Sequence, residues 1–243
     1  MCRFKSGIIF KTRCVVAPGE NDSHSDLLND LQIEDSYTNA SRMFVRAELI
    51  PENDEWWTDP AGWKFVVDQD VTPDWFDLDP GKYEEEFRQA VKAWWDEHVI
   101  VNKKIDVLSS GFYRLKRCDV KKLLKDVKVY LDSSTVEEMC GSSTVGKMCG
   151  SSTVGRMLDS STVGRMWSSS TVEEMCDSST VGRMLDSSTV GKMRDSSTAR
   201  NFKKYPNIKI HVPNGGKFEM VEQETILSDA HQGFNAGLSR LSR

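Results

Sequence analysis

No stretch of this 243-residue sequence stays apolar for the roughly 20 residues that a membrane span needs. The opening MCRFKSGIIFKTRC sets basic residues around one brief apolar run, Gly7 to Phe10, too short for a secretory core. These two absences predict a cytoplasmic protein with no membrane partner. Cysteine is sparse: the six, at positions 2, 14, 118, 140, 149 and 176, form no CxxC pair and no Cys/His cluster with zinc spacing. Reduced thiols and no metal centre are therefore expected. GxSxG, P-loop, GxGxxG and HExxH motifs are all missing. The four histidines, at 24, 98, 211 and 231, are scattered. His98 reads as packing or capping at a helix end, and His211 as part of a strand. The nearest approach to a catalytic pair is Cys2 or Cys14 beside His24, which spacing alone does not support. No catalytic residue and no cofactor are expected, and an enzyme in the N-terminal region ranks last of three function classes.

What is present is unevenly distributed. The net charge is only −5, yet Glu20 to Glu97 holds 21 acidic against 6 basic residues, and Lys103 to Lys128 holds 9 basic against 3 acidic. That reversal marks a boundary near residue 100. We expect an acidic, Trp-rich α+β domain over residues 1–100 and a basic cap or irregular first coils over 101–130. A repeat region follows over 131–201, then a C-terminal hairpin or extended cap with a frayed tail over 202–243.

Within the first region, residues 7–17 (GIIFKTRCVVA), 43–50 (MFVRAELI) and 63–68 (WKFVVD) are rich in β-branched and aromatic side chains and read as strands. The polar stretch between the first two reads as a long loop with one helical turn. Asp79 followed by Pro80 marks a helix start. Beyond it Tyr83, Phe87, Val91, Trp94, Trp95 and His98 recur at helical spacing. Six of the seven tryptophans lie here, which predicts a core built from large side chains rather than an aromatic platform. DQDVTPDWFDLDPG is rich in carboxylates, but its glycine and glutamate are misplaced for a calcium loop. Helix capping and turns account for it better.

The block from Leu131 reads LDSSTVEEM, CGSSTVGKM, CGSSTVGRM, LDSSTVGRM, WSSSTVEEM, CDSSTVGRM, LDSSTVGKM and a decayed RDSSTARNF. Nine residues make about 2.5 helical turns, so successive units of a helix would face opposite ways. A near-invariant valine and methionine also argue against a disordered linker. A stacked β-solenoid fits instead. In an extended SSTV segment Ser134 and Val136 face inward, and Ser133 and Thr135 outward. Methionine then fills the core and the VG glycine lets the backbone bend. With two units per coil, unit n stacks on unit n+2. One edge then carries Glu138, Arg156, Glu174 and Lys192 in alternating sign, and the other carries Lys147, Arg165 and Arg183 beside Asp159, Asp177 and Asp195. Trp167 stands at the variable first position of its unit, where a partner would meet it.

The stretch MFVRAELIP…WKFVVDQDVTPDWF, joined to SSTV repeats, resembles uncharacterised proteins of bacterial phages and mobile elements over most of the chain. The resemblance brings no functional residues with it. In architecture alone the repeat is similar to pentapeptide-repeat solenoids, some of which imitate duplex DNA and occupy DNA-binding enzymes. The block has 9 acidic against 6 basic residues over 131–198, so mimicry would fall to the acidic head rather than the solenoid.

The fold expected is thus mainly β, a small α+β domain followed by a β-solenoid. The function expected is a non-enzymatic, phage-type interaction protein that binds and inhibits a host defence or nucleic-acid-handling protein. Its expected binding residues are Asp74, Asp77, Glu84 and Glu85 in the head, with Glu138, Glu174, Lys147, Arg165, Arg183 and Trp167 on the solenoid. The competing class is a nucleic-acid or nucleotide binder using the basic segment and the basic solenoid edge. An open solenoid end also offers a route to a homodimer.

Overall fold

The computed structural model describes residues 4–202, 209–214 and 217–221. The head contains β1 (Lys5–Phe10), β2 (Arg13–Val16), α1 (His24–Asp30), α2 (Tyr37–Ala40) and β3 (Phe44–Ile50). It continues with β4 (Lys64–Val67), α3 (Asp74–Asp77) and α4 (Pro80–His98). Its sheet is antiparallel in the order β2-β1-β3-β4. Residues 7–17, read as one strand, form two, because Lys11 and Thr12 turn the chain and Ile9 pairs with Cys14. The apolar run before the turn and the one after it are separated by only Lys11, Thr12 and Arg13, too short a polar gap to mark the break by composition. The polar stretch after β2 supplies two short helices rather than one turn, each with a serine N-cap, Ser23 and Ser36. Asp79 caps α4 as expected, accepting from the Lys82 amide at 3.2 Å.

Both faces of the head sheet are covered. On one, Tyr83, Phe87, Val91 and Trp94 of α4 pack with Ile9, Val45, Leu49, Trp56 and Trp63. On the other, Leu27 and Leu28 of α1 pack with Ile8 and Phe44. The tryptophans are core, as their spacing indicates: Trp56 meets Trp63 edge to face at 5.3 Å. The indole N–H groups of Trp94 and Trp95 are satisfied by the carbonyls of Pro18 and Trp56.

The solenoid begins directly at the end of α4. Its first strands are β5 (Val99–Val101), β6 (Lys104–Leu108), β7 (Gly111–Lys116), β8 (Asp119–Leu123) and β9 (Val127–Asp132). The repeat strands are β10 (Thr135–Met139), β11 (Thr144–Cys149), β12 (Thr153–Met157), β13 (Thr162–Met166), β14 (Thr171–Met175), β15 (Thr180–Met184), β16 (Thr189–Arg194) and β17 (Thr198–Phe202). β18 (Lys209–Asn214) and β19 (Lys217–Val221) follow. Odd-numbered strands build one parallel sheet and even-numbered strands the other. Thr135 pairs with Thr153 and Val136 with Val154, so a coil is 18 residues and holds two units. Residues 103–130 form irregular first coils that stack in parallel under the repeat. Lys104 pairs with Asp119 and Asp119 with Thr135, so these coils are shorter than 18 residues. The register shifts between β9 and β11, and Val120 and Leu123 lie under Val136 and Met139. β18 and β19 do not form a hairpin with each other. They add in parallel to β16 and β17 and continue the stack. The tail from Ser228 lies outside the described residues.

Val136, Val145, Val154 and their successors are buried together with Met139, Met148, Met157 and theirs, forming one continuous core. Valine and methionine are three positions apart, so strict alternation would send them to opposite faces. Two consecutive outward residues, such as Glu137 and Glu138, absorb the mismatch, and the chain turns inward again at methionine. Each unit after the first then turns at its second position, where φ is positive. Gly141 and Gly150 take it without a Cβ, while Asp159, Asp177, Asp186 and Asp195 take it as the short polar residues that tolerate it best.

The inward serines are buried from Ser134 to Ser197. Ser152 Oγ donates to the Cys149 carbonyl at 2.6 Å and accepts from the Ser134 amide at 3.3 Å. The Ser161 hydroxyl has no partner among the described residues. An unpaired buried hydroxyl costs about 1–3 kcal/mol, whereas a made hydrogen bond contributes about 1. Ser161→Ala should therefore be neutral or stabilising by about 1 kcal/mol, and Ser152→Ala should destabilise by a similar amount. Urea unfolding of the two variants checks the contrast, and equal losses would refute it.

Candidate functional site

The even-numbered strands present the alternating column in the expected register: Glu138 beside Arg156, Arg156 beside Glu174, Glu174 beside Lys192. Lys122 extends it one coil earlier and bonds Glu138 at 3.2 Å. Arg156 also bonds Glu138, and Arg194 reaches Glu174 at 2.8 Å. The Lys122 hydrogen bond holds the Glu138 carboxyl below its ordinary range. Gly155, between Glu137 and Glu173 in this stack, leaves a notch in an open groove of about 810 Å³. Glu138 and Glu174 are thus neutralised within their own face. The ladder keeps the coils in register and leaves little net field for a ligand.

The odd-numbered strands present a column of one sign. Lys147 lies beside Arg165, and Arg165 beside Arg183. Adjacent strands run about 4.8 Å apart. At that spacing neighbouring cations repel by about 1 kcal/mol in water. The Lys147 ammonium sits 4.7 Å over the ring of Trp167, which is 37% exposed. Cation and aromatic thus form one strip on one face.

The aspartates that share this side hold the turns together. Asp177 accepts from the Asp159 amide at 2.9 Å, and Asp195 from the Asp177 amide at 3.2 Å, each across one coil. Asp177→Ala should cost about 2 kcal/mol, through a lost charge-assisted hydrogen bond and a left-handed residue that aspartate tolerates better. Asp177→Asn keeps an acceptor and that tolerance, and should stay within about 0.5 kcal/mol. Thermal unfolding distinguishes them, and equal losses would show that the ladder does not hold the turns.

The acidic head residues lie on neighbouring elements, Asp74 and Asp77 in α3 and Glu84 and Glu85 in α4. Asp77 accepts from Thr72 Oγ1 at 2.6 Å, Glu84 pairs with Arg88 at 2.7 Å, and Glu85 accepts from Gln89 at 3.0 Å. The Asp74 side chain has no partner among the described residues. Leu78, immediately after α3, is 86% exposed. The indole of Trp75 donates to the Arg42 carbonyl at 3.0 Å, which ties α3 to the turn carrying exposed Met43.

Two groupings escaped the sequence reading. Arg114 is buried where head and solenoid meet, 3.9 Å over the ring of Trp56 and 5.1 Å over that of Tyr130. Lys5 pairs with Asp22 at 2.8 Å, both buried, and lies 4.1 Å over Trp94. Cys14 is not placed to work with His24. It packs in the α4-side core, where burial and then Glu86 push its thiol up to about 11, whereas His24 begins α1 on the opposite face. His24 instead meets Glu48 and Asp68. His98 packs, as one of its two expected roles, against Trp94, Phe112 and Tyr113. Its Nδ1 lies 2.8 Å from the Phe112 carbonyl of β7, so it ties the end of α4 to the solenoid rather than capping the helix.

Among the described residues no helix is long and apolar enough to cross a membrane. No protein-family model matches the chain, and neither a curated protein nor a solved structure shows significant similarity to it.

Proposed function

We propose that this chain is a non-enzymatic, phage-type binding protein whose acidic head docks on a basic host protein, one that handles nucleic acid or serves defence. The observation that carries this reading is Leu78, a large apolar side chain left in water beside Asp74 and Asp77. Interfaces are anchored by a few apolar side chains, and charge complementarity around them steers the encounter and selects the partner. The acidic excess of the head supplies that field over a wide area. The solenoid, a rigid parallel stack, serves as its base. The test is affinity capture from a bacterial lysate with and without nuclease, using the wild type, a Leu78→Ser/Asp74→Lys variant and a Lys147→Glu/Arg165→Glu variant. A stoichiometric basic protein should survive nuclease, be lost with the head variant and stay with the solenoid variant. Equal capture by the head variant would remove this face from the account.

The basic strip supports a second reading, in which nucleic acid lies along Lys147, Arg165 and Arg183 and stacks on Trp167. Such binding would weaken steeply with salt, by a slope of about 0.7–0.9 per phosphate contacted. Retention that falls with salt and is lost in the solenoid variant would replace the first reading with this one.

A further inference from the structure

We propose that His24, Glu48 and Asp68 form a binding site for a divalent transition cation of the manganese or zinc class on the α1 side of the head sheet. The three come from α1, β3 and the residue after β4, and one donor atom from each lies within 4.8 Å of the others. A cation about 2.0–2.2 Å from each donor needs them about 3–3.5 Å apart. Asp68, with its side chain 58% exposed, is free to make that closure from the solvent side.

The hydrogen bonds of His24 define what the site lacks. Its Nε2 lies 3.2 Å from the Ala47 carbonyl, which only accepts, so the proton of a neutral ring belongs on Nε2. The other nitrogen, Nδ1, then turns a lone pair toward Asp68 Oδ2 at 3.2 Å. A lone pair facing a carboxylate is repulsive unless a proton or a metal ion lies between them. An imidazole donating one N–H to a backbone carbonyl while its other nitrogen faces carboxylates is the usual arrangement of a metal-bound histidine.

Glu48 is the second, independent observation. Only 9% of it is exposed, and among the described residues nothing donates a hydrogen bond to its carboxylate. An imidazolium–Asp68 ion pair would satisfy His24 and leave Glu48 without a partner. A divalent cation satisfies both. Asp22 adds negative potential nearby but is already held by Lys5, and Arg46 is engaged by Asp35. One nitrogen with two carboxylate oxygens suits manganese or zinc better than calcium or magnesium, which take oxygen ligands. Three protein ligands leave at least one position for water or for a donor from another molecule.

The test is Mn(II) binding to the full-length chain, followed by electron paramagnetic resonance and calorimetry at pH 7.5. Mn(II) is the probe because the free thiols Cys140, Cys149 and Cys176 would compete for zinc. One ion per chain should bind, at least tenfold more weakly in Glu48→Gln and in Asp68→Asn, with both variants folded by circular dichroism. Absence of saturable one-to-one binding by the wild type overturns the proposal, as does equal binding by wild type and both variants. This result is independent of the docking test above, whose variants leave these three residues intact.

Discussion

Met157→Ala should destabilise the solenoid by about 2–5 kcal/mol, the usual cost of truncating a fully buried methionine. Met157 is buried and stacks in register between Met139 and Met175. A cavity there has coils on both sides, and a packed parallel stack closes poorly around a missing side chain. Met157→Leu keeps the volume and should cost less than about 1.5 kcal/mol. Arg156→Ala, one residue earlier and facing water, should cost about 0.2–1 kcal/mol. Position matters as well as chemistry. In a one-dimensional stack each coil touches only its neighbours, so Met193→Ala should loosen the C-terminal coils while leaving the coils near the head protected. Hydrogen exchange resolves the two cases: Met157→Ala should raise exchange on both sides of β12, and Met193→Ala chiefly beyond β15. A loss below about 1 kcal/mol at Met157 would show that the units do not depend on one another in this way.

A second large effect concerns Glu48 in metal-free protein. Burial, then Asp68 and Asp22, push its carboxyl from 4.5 to about 7. The folded state therefore binds this proton more tightly than the unfolded chain. Its stabilising contribution is full below about pH 4.5 and is lost as pH rises to about 7. At 1.36 kcal/mol per unit the loss by pH 8 is about 3 kcal/mol. His24 tilts the opposite way: burial lowers its pKa, so its contribution is full above the ordinary value near 6.5 and is lost as pH falls. The informative quantity is thus the difference between wild type and Glu48→Gln, in which the histidine contribution largely cancels. With chelator present, Glu48→Gln should be close to wild type at pH 5 and more stable by about 3 kcal/mol at pH 8. Urea titrations at pH 5, 6, 7 and 8 measure it, and a constant difference across that range would refute the assignment.

Some of this was legible residue by residue. The α4 face could be read because a helix repeats every 3.6 residues and Tyr83, Phe87, Val91 and Trp94 follow that period. The coil length could be read because Glu138, Arg156, Glu174 and Lys192 alternate in sign only at a spacing of two units. The irregularity of the first coils is legible because Val120 and Leu123 do the work of valine and methionine without the repeat's surrounding letters or its 18-residue spacing. The C-terminal strands suggested a hairpin because Pro-Asn-Gly-Gly is a local turn signal, while pairing with β16 and β17 is not local. His24, Glu48 and Asp68 have no motif spacing. They meet because β3 pairs with β4, Ala47 opposite Val67, and because α1 lies across the same face.

By itself, then, the sequence determined the period, the inward serine, valine and methionine, and the 18-residue coil, since these follow from local geometry repeated many times. The tertiary structure alone decided how Arg114 joins head to solenoid, that Lys147 lies over Trp167, and that a histidine and two carboxylates meet on one face of the head sheet. Those outcomes depend on contacts between residues far apart in the chain, and distant contacts leave no periodic mark on a sequence.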